Sequence, residues 1–400
     1  MKARSVQLTV FLFTLSLIAV PTLADSKHEF EPSVRVRYAS LEEGVETGAA
    51  ASVLLRARLE STWTSYVSTL IELDHVESFL KDKHSDGVRF NSEPEIPDVP
   101  GSDLNQAVLI LGADEWRVHL GRQAINIGNE RFVGSVGSWQ NEQTFDAALL
   151  DGKLLSRSSL KYAYISKANR IFGRDAMAGG ERPLARLGEH EHSTHLINLE
   201  FKEWDYWEFG AFGLLLDNDT IPALSSDTWG VRVGANYKPN HIQWRLESEI
   251  AAQKYETGYD GWIPYYRVKT GLEFKTHELS FNLESLDVKE GTPFRTTLAT
   301  NHDFQGWADV FGVLPSTGLR DTFVKYTWRN SPWKLDLRWH YFSSLDDDKT
   351  FGQEVDADII YKFNKNQNIL LRIAHYEADT PSGPGANDRQ RLILSYTLKL

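Results

Sequence analysis

From Phe30 to the last residue the chain repeats one kind of segment, about ten residues of alternating apolar and polar side chains closed by a turn. Side chains along a strand point to opposite faces in turn, so each segment presents one apolar and one polar face. In 333–341, Trp333, Leu335, Leu337, Trp339 and Tyr341 share one face, and Lys334, Asp336, Arg338 and His340 share the other. The final segment sets Leu392, Leu394, Tyr396, Leu398 and Leu400 against Arg391, Ser395, Thr397 and Lys399. Such strands suit a wall with lipid on one side and water on the other.

Eighteen segments of this kind are expected near 30–40, 50–60, 62–74, 104–111, 115–121, 144–150, 159–166, 194–201, 206–216, 228–237, 242–255, 265–274, 279–288, 322–329, 333–341, 354–363, 368–376 and 389–400. The links test the count. Those after even-numbered segments are brief, as at Ser61, 112–114, 238–241, 330–332 and 364–367, with 151–157 the longest. Those after odd-numbered segments include long polar stretches at 82–103, 122–143, 167–193 and 289–321. A missed or extra strand would break this parity, and it holds to the end. The expected fold is therefore all-β: a transmembrane antiparallel barrel of eighteen strands with short periplasmic turns and long extracellular loops. Trp63, Trp116, Trp207 and Trp244 fall near short turns and are expected in the periplasmic aromatic girdle, with Tyr38, Tyr66 and Tyr376 at the outer rim.

The N-terminus reads as a signal peptide over 1–24, with Lys2 and Arg4 before an apolar run from Phe11 to Ile18, then Pro21 and the small Ala24. Residues 25–400 form the barrel, destined for the outer membrane of a Gram-negative bacterium. Its expected partners are the barrel assembly machinery, outer-membrane lipid and lipopolysaccharide. A mean hydropathy of -0.38 with 24% charged residues excludes a bundle of membrane helices but fits a barrel whose alternate residues face water. With 0 cysteines there is neither a disulfide nor a lipid-attachment thiol, and a net charge of -12 gives no reason to expect nucleic acid.

A barrel this wide leaves an aqueous channel unless loops fill it, so function should lie on the inward face. Assigned strand by strand, that face carries Arg35, Arg37, Arg56, Arg58, Arg117, Arg245, Arg267, Arg338, Arg372 and Arg391 among its cations. The acids assigned to it are fewer: Glu31, Glu60, Glu72, Glu247, Glu249, Glu273, Asp336, Asp356 and Asp358. Arginine binds carboxylate or phosphate through paired hydrogen bonds, and arginines around a narrow pore attract anions. The competing view is that the arginines pair with inward glutamates and only hold the wall's shape. The loop over 122–143 combines Gly128, Gly134 and Gly137 with Arg122, Arg131, Phe132 and Trp139, and can fold back into the lumen.

At this loop the chain resembles the alginate export porins of Gram-negative bacteria. The resemblance lies in Leu120-Gly121-Arg122-Gln123 with Arg131, Gly134, Trp139 and Phe145-Asp146, in the run from Thr297 to Asp309, and in Gly318-Leu319-Arg320-Asp321. It implies an arginine-rich constriction through which an acidic polysaccharide or oligosaccharide passes. Arg122 and Arg131 are the leading constriction residues, with Arg56, Arg58, Arg117, Arg245, Arg267, Arg338 and Arg372 lining the pore. A general anion or small-solute porin is the alternative, and a barrel enzyme or adhesin a further one.

No catalytic residue, cofactor or metal is expected. The chain has no G-x-S-x-G, H-E-x-x-H or P-loop sequence. His190, His192 and His195 beside Glu191 lack a convincing opposing ligand set, and no glycine-punctuated calcium loop surrounds Asp346, Asp347 and Asp348.

Overall fold

The computed structural model describes residues 26–173, 187–347 and 349–400. The signal segment and Asp348 lie outside the described residues. The strands are β1 (Lys27–Glu43), β2 (Glu46–Thr64), β3 (Val67–Ser78), β4 (Gly101–Ala113), β5 (Trp116–Gln123), β6 (Thr144–Leu155), β7 (Ser158–Asn169), β8 (Glu189–Phe201), β9 (Trp207–Leu216) and β10 (Ser226–Tyr237). They continue as β11 (Ile242–Tyr255), β12 (Ile263–Phe274), β13 (His277–Leu286), β14 (Val288–Lys289), β15 (Thr292–Pro293), β16 (Leu319–Asn330), β17 (Trp333–Ser343), β18 (Thr350–Asn364), β19 (Gln367–Ala378) and β20 (Arg389–Lys399). β14 and β15 make a small separate ladder inside one loop; the other eighteen form a single sheet.

Each of the eighteen pairs antiparallel with the next, and β20 pairs with β1, placing Leu398 opposite Val34 and Ser395 opposite Arg37. Closure leaves no unpaired edge, which a sheet exposed to lipid requires. The outward face is apolar: Leu55, Leu59, Ile71, Leu73, Val231, Ile250, Phe281, Leu337 and Leu394 are all exposed on the isolated chain. Trp63, Trp116, Trp207 and Trp333 are exposed beside short turns, as a girdle needs.

Two aromatic placements differ from expectation. Tyr66 sits in the two-residue turn between β2 and β3, at the short-turn end, and Tyr376 faces inward, buried, donating to the carbonyls of Phe351 and Gly385. The first hairpin is also longer than its sequence suggests. Residues 41–49 are rich in Gly and Glu, yet Leu41 pairs Gly48 and Glu43 pairs Glu46, and Gly44 takes the left-handed conformation (φ 60°) that closes the turn.

Two long loops fold into the lumen: 124–143, between β5 and β6, and 287–318, between β13 and β16. They meet through a parallel bridge of Val133 to Leu298, through Gly134 N–H donating to the Leu298 carbonyl (2.9 Å), and through Thr300 N–H donating to the Glu130 carbonyl (3.1 Å). Their floor is apolar. Ile125, Ile127, Val133 and Leu298 pack on inward residues of β6 to β9, namely Phe145, Ala147, Leu149, Ala163, Ile165, Leu196 and Leu214.

Candidate functional site

The loop junction is pinned by Arg131. It is 1% exposed and donates from Nε to Glu284 on β13 (2.7 Å), and from Nη1 to Thr296 (3.2 Å) and Asn301 (3.0 Å), with its guanidinium 4.6 Å from the Phe304 ring centre. Glu284 also accepts from the Tyr265 hydroxyl (2.8 Å) and contacts Gln305. One buried ion pair thus ties both inner loops to the wall. Its satisfied neighbours are what make burying the charges tolerable.

Across the lumen from the apolar floor, five of six adjacent strands present inward arginines: Arg338 on β17, Arg372 on β19, Arg391 on β20, Arg35 and Arg37 on β1, and Arg56 and Arg58 on β2. Each loop lays a tryptophan on this row. Trp139 lies 4.7 Å from the Arg37 guanidinium and 5.5 Å from that of Arg391, and Trp307 lies 4.0 Å from both Arg338 and Arg372.

A polar relay continues the contact. Arg372 binds Asp358 through two hydrogen bonds of 2.8 Å and donates from Nη1 to His302 Nε2 (2.8 Å). With Nε2 accepting, the His302 proton sits on Nδ1, 2.8 Å from the Asp309 carboxylate, which also receives Arg391. Burial pushes the His302 imidazole below its ordinary value, so it stays neutral, although Asp309 pulls the other way. Burial by itself would raise the Asp309 carboxyl, but Arg391 and His302 beside it bring it down to about 2.

The structure distributes the nine arginines named from sequence as follows. Arg56 makes a bidentate pair with Asp74 (2.8 and 2.7 Å) and reaches Glu142 at 3.0 Å; Arg58 contacts Glu60, and Glu72 at 3.3 Å. Arg122 lies at the end of β5 rather than in the folded loop, pairing with Asp146 (2.7 Å) and Asp103 (3.6 Å). Arg131 is buried in the junction. Arg117 sits next to the β4–β5 turn, exposed, 3.8 Å from Asp114. Arg245 pairs with Glu273 at 2.7 Å and Arg267 with Glu247 at 3.6 Å, on the wall away from the row. Arg338 and Arg372 stand together at Trp307.

Sequence reading left out several acids of the inward face: Asp74, Glu278, Glu284, Asp321 and Glu354 are all buried there. The alternation was enough to find Glu278 and Glu284, which interleave with Leu279, Phe281 and Leu283. Loop carboxylates could not be found this way, yet Asp98 reaches Arg37 (3.4 Å), Glu142 reaches Arg56 and Asp309 reaches Arg391. The positive excess is therefore smaller than the strands alone imply. Two members of the row have no direct carboxylate contact among the described residues. Arg35 donates to Gln140 Oε1 (2.8 Å) and to the carbonyls of Gly137 (3.2 Å) and Trp139, and Arg338 lies on Trp307 with its Nε unpartnered.

Among the described residues no group of three or more His, Cys, Asp or Glu side chains could hold a metal ion. His190 and His192 are buried on the inner face, whereas His195 is exposed beside Tyr162 and Tyr164.

No protein-family model matches the chain, and neither does any curated protein sequence. Solved structures do. Acinetobacter baumannii OccAB4 superposes with a TM-score of 0.71 at 12% identity, covering 95% of this chain and 100% of that one. Pseudomonas aeruginosa OpdL gives 0.68 at 14% identity over 94% and 100%, and P. aeruginosa OpdK, solved with vanillate, gives 0.67 at 12% over 93% and 99%. These structures overturn the alginate export porin resemblance, since the barrels matched are of the Occ and Opd kind. The motifs Leu120 to Gln123 and Thr297 to Asp309 stand at the end of β5 and in the loop between β13 and β16. Identities this low establish the fold alone, a closed eighteen-stranded antiparallel β-barrel like those of these outer-membrane proteins.

Proposed function

We propose that the chain is a passive outer-membrane channel for small polar solutes, with anions favoured over cations. The observation that carries this reading is the row of inward arginines on β17, β19, β20, β1 and β2, faced by two loops that cross the lumen. Eighteen strands would otherwise enclose a wide aqueous bore. The loops reduce it, and the Arg131–Glu284 pair and apolar floor hold them there. Wall guanidiniums facing loop carboxylates make a field across the pathway, and within it Arg35 and Arg338 have no direct carboxylate contact among the described residues. Vanillate, bound in the OpdK structure, is a small carboxylate of the size and sign this reading expects.

Liposome swelling with the refolded mature chain tests it. Small carboxylates such as acetate and benzoate should enter faster than amines of equal size, and oligouronates of several residues should not enter. Equal entry of amines and carboxylates would remove the anion preference, and entry of the oligomers would remove the small-solute reading.

A further inference from the structure

A separate cavity of about 270 Å³ lies at the extracellular end of the lumen, away from the tryptophan contacts of the row. It is walled by the ends of β3, β4, β6 and β7 with the loops that join them. Its chemistry differs from that of the row. The carboxylates Asp74, Asp86, Asp103 and Glu142 line it, and each is already joined to a guanidinium: Asp74 and Glu142 to Arg56, Asp86 to Arg89 (2.5 Å) and Asp103 to Arg122 (3.6 Å). Each of these carboxylates thus has a guanidinium in contact, Arg56 serving two of them, and Arg170, which also lines the cavity, donates to the Thr297 carbonyl (3.2 Å).

What remains open is neutral hydrogen bonding. Asn105, Asn141 and Asn169 line the cavity. Asn141 is oriented by donating from Nδ2 to the Val99 carbonyl (2.8 Å), and Asn169 by donating to Asp146 (3.0 Å). Asn169 is 6% exposed, and its Oδ1 has no hydrogen-bond partner. A buried amide oxygen left without a donor is a deficit that a hydroxyl donor removes. The ring of Phe172 supplies an apolar surface on the same cavity. Fixed amides that both accept and donate and carboxylates that accept, next to one aromatic ring, match vicinal hydroxyls on one side of a ring and C–H groups on the other. The volume sits near the low end of small-molecule sites, which run to about 300–1,000 Å³.

Resting on the channel reading above, we infer that this cavity is a binding site for a neutral polyhydroxylated solute of about monosaccharide size, met before the arginine row.

The test uses the full mature chain in planar bilayers, with D-glucose as probe, glycerol at matched viscosity as control and gluconate as the charged comparison. Glucose should reduce single-channel current saturably, beyond the glycerol effect, and gluconate should do so no less. Asn169→Leu should weaken glucose block about tenfold. Gly101→Phe gives a second route: Gly101 pairs with Val76 on the inward face, and a side chain there would begin in open space, since an added Cβ meets nothing within 4 Å. That variant should fill the cavity and abolish glucose block while the pore still conducts. Current unaffected by glucose in a conducting wild-type channel would overturn the inference and leave the porin reading standing. Block by gluconate alone would also overturn it, and block by glucose that survives both substitutions would place the site elsewhere. A chain that conducts nothing would sink the porin reading itself.

Discussion

The two sides of the lumen are built from the same alternation but hold the loops by opposite means. On β6 to β9 the inward residues beneath the loops are Ala, Leu, Ile and Phe, and the loops sit on them through Ile125, Ile127, Val133 and Leu298. On β17 to β2 the inward residues that meet the loops include Arg, Asp, Glu and His, and the two loops reach them through two tryptophans, Glu142, Asp309 and His302, joined by Asp98 of the β3–β4 loop. Apolar contact fixes position without regard to charge. The polar side fixes charge in the pathway, and its contacts can exchange with water or solute. The apolar side is thus the anchor and the arginine side the selective surface.

That division can be broken from either side. The largest effect is expected at the pin between them: Arg131→Ala leaves Glu284 buried and unpaired, which costs about 3–5 kcal/mol, so both loops should loosen. Single-channel recordings should then show raised conductance with frequent large gating steps. Next comes Leu298→Ala, which removes a fully buried side chain from the apolar floor at about 2–5 kcal/mol. It should raise conductance and expose the inner loops to limited proteolysis, with ion selectivity little changed. On the opposite side, Arg372→Gln leaves Asp358 without its bidentate partner and His302 without its donor. Anion preference should fall by a few-fold, and barrel unfolding measured by heat-dependent gel mobility should move little.

The smallest effect concerns pH. The Asp309 carboxyl is held near 2, against about 3.9 in an unfolded chain. A lowered folded pKa contributes stability that is complete above the unfolded value and fades only as pH falls toward the folded one. His302 is neutral and shifted down, so its contribution is complete above the ordinary imidazole value and fades as pH falls below it. The gating rate set by this relay should therefore be flat from about pH 7 to 8 and rise as pH falls below about 6.5. Asp309→Asn, which removes the charge, should show faster gating throughout that range.

How much of this was legible beforehand follows from range of interaction. The eighteen strands are set by period two and by turn chemistry, both local, and all eighteen segments read from the sequence correspond to barrel strands. Residues 41–49 were misread because weak strand formers were carried into the ladder by their neighbours' pairing. The site is another matter. Arg35 and Arg338 could be placed on the inward face by parity, but their lack of a carboxylate depends on where loops 124–143 and 287–318 come to rest. The Arg131–Glu284 pair spans more than a hundred and fifty positions of chain, and no spacing rule joins them. The acidic loop holding Asp98 turns inward, where it meets Arg37, a contact that no local pattern announces.

The zero-current potential of the refolded channel across a bilayer with a tenfold potassium chloride gradient tests the central claim most directly, wild type against the double variant Arg35→Gln with Arg338→Gln. The account predicts an anion-selective potential in the wild type that moves most of the way to zero in the double variant, at nearly unchanged conductance. A cation-selective wild type, or a potential that the two substitutions leave untouched, would contradict it.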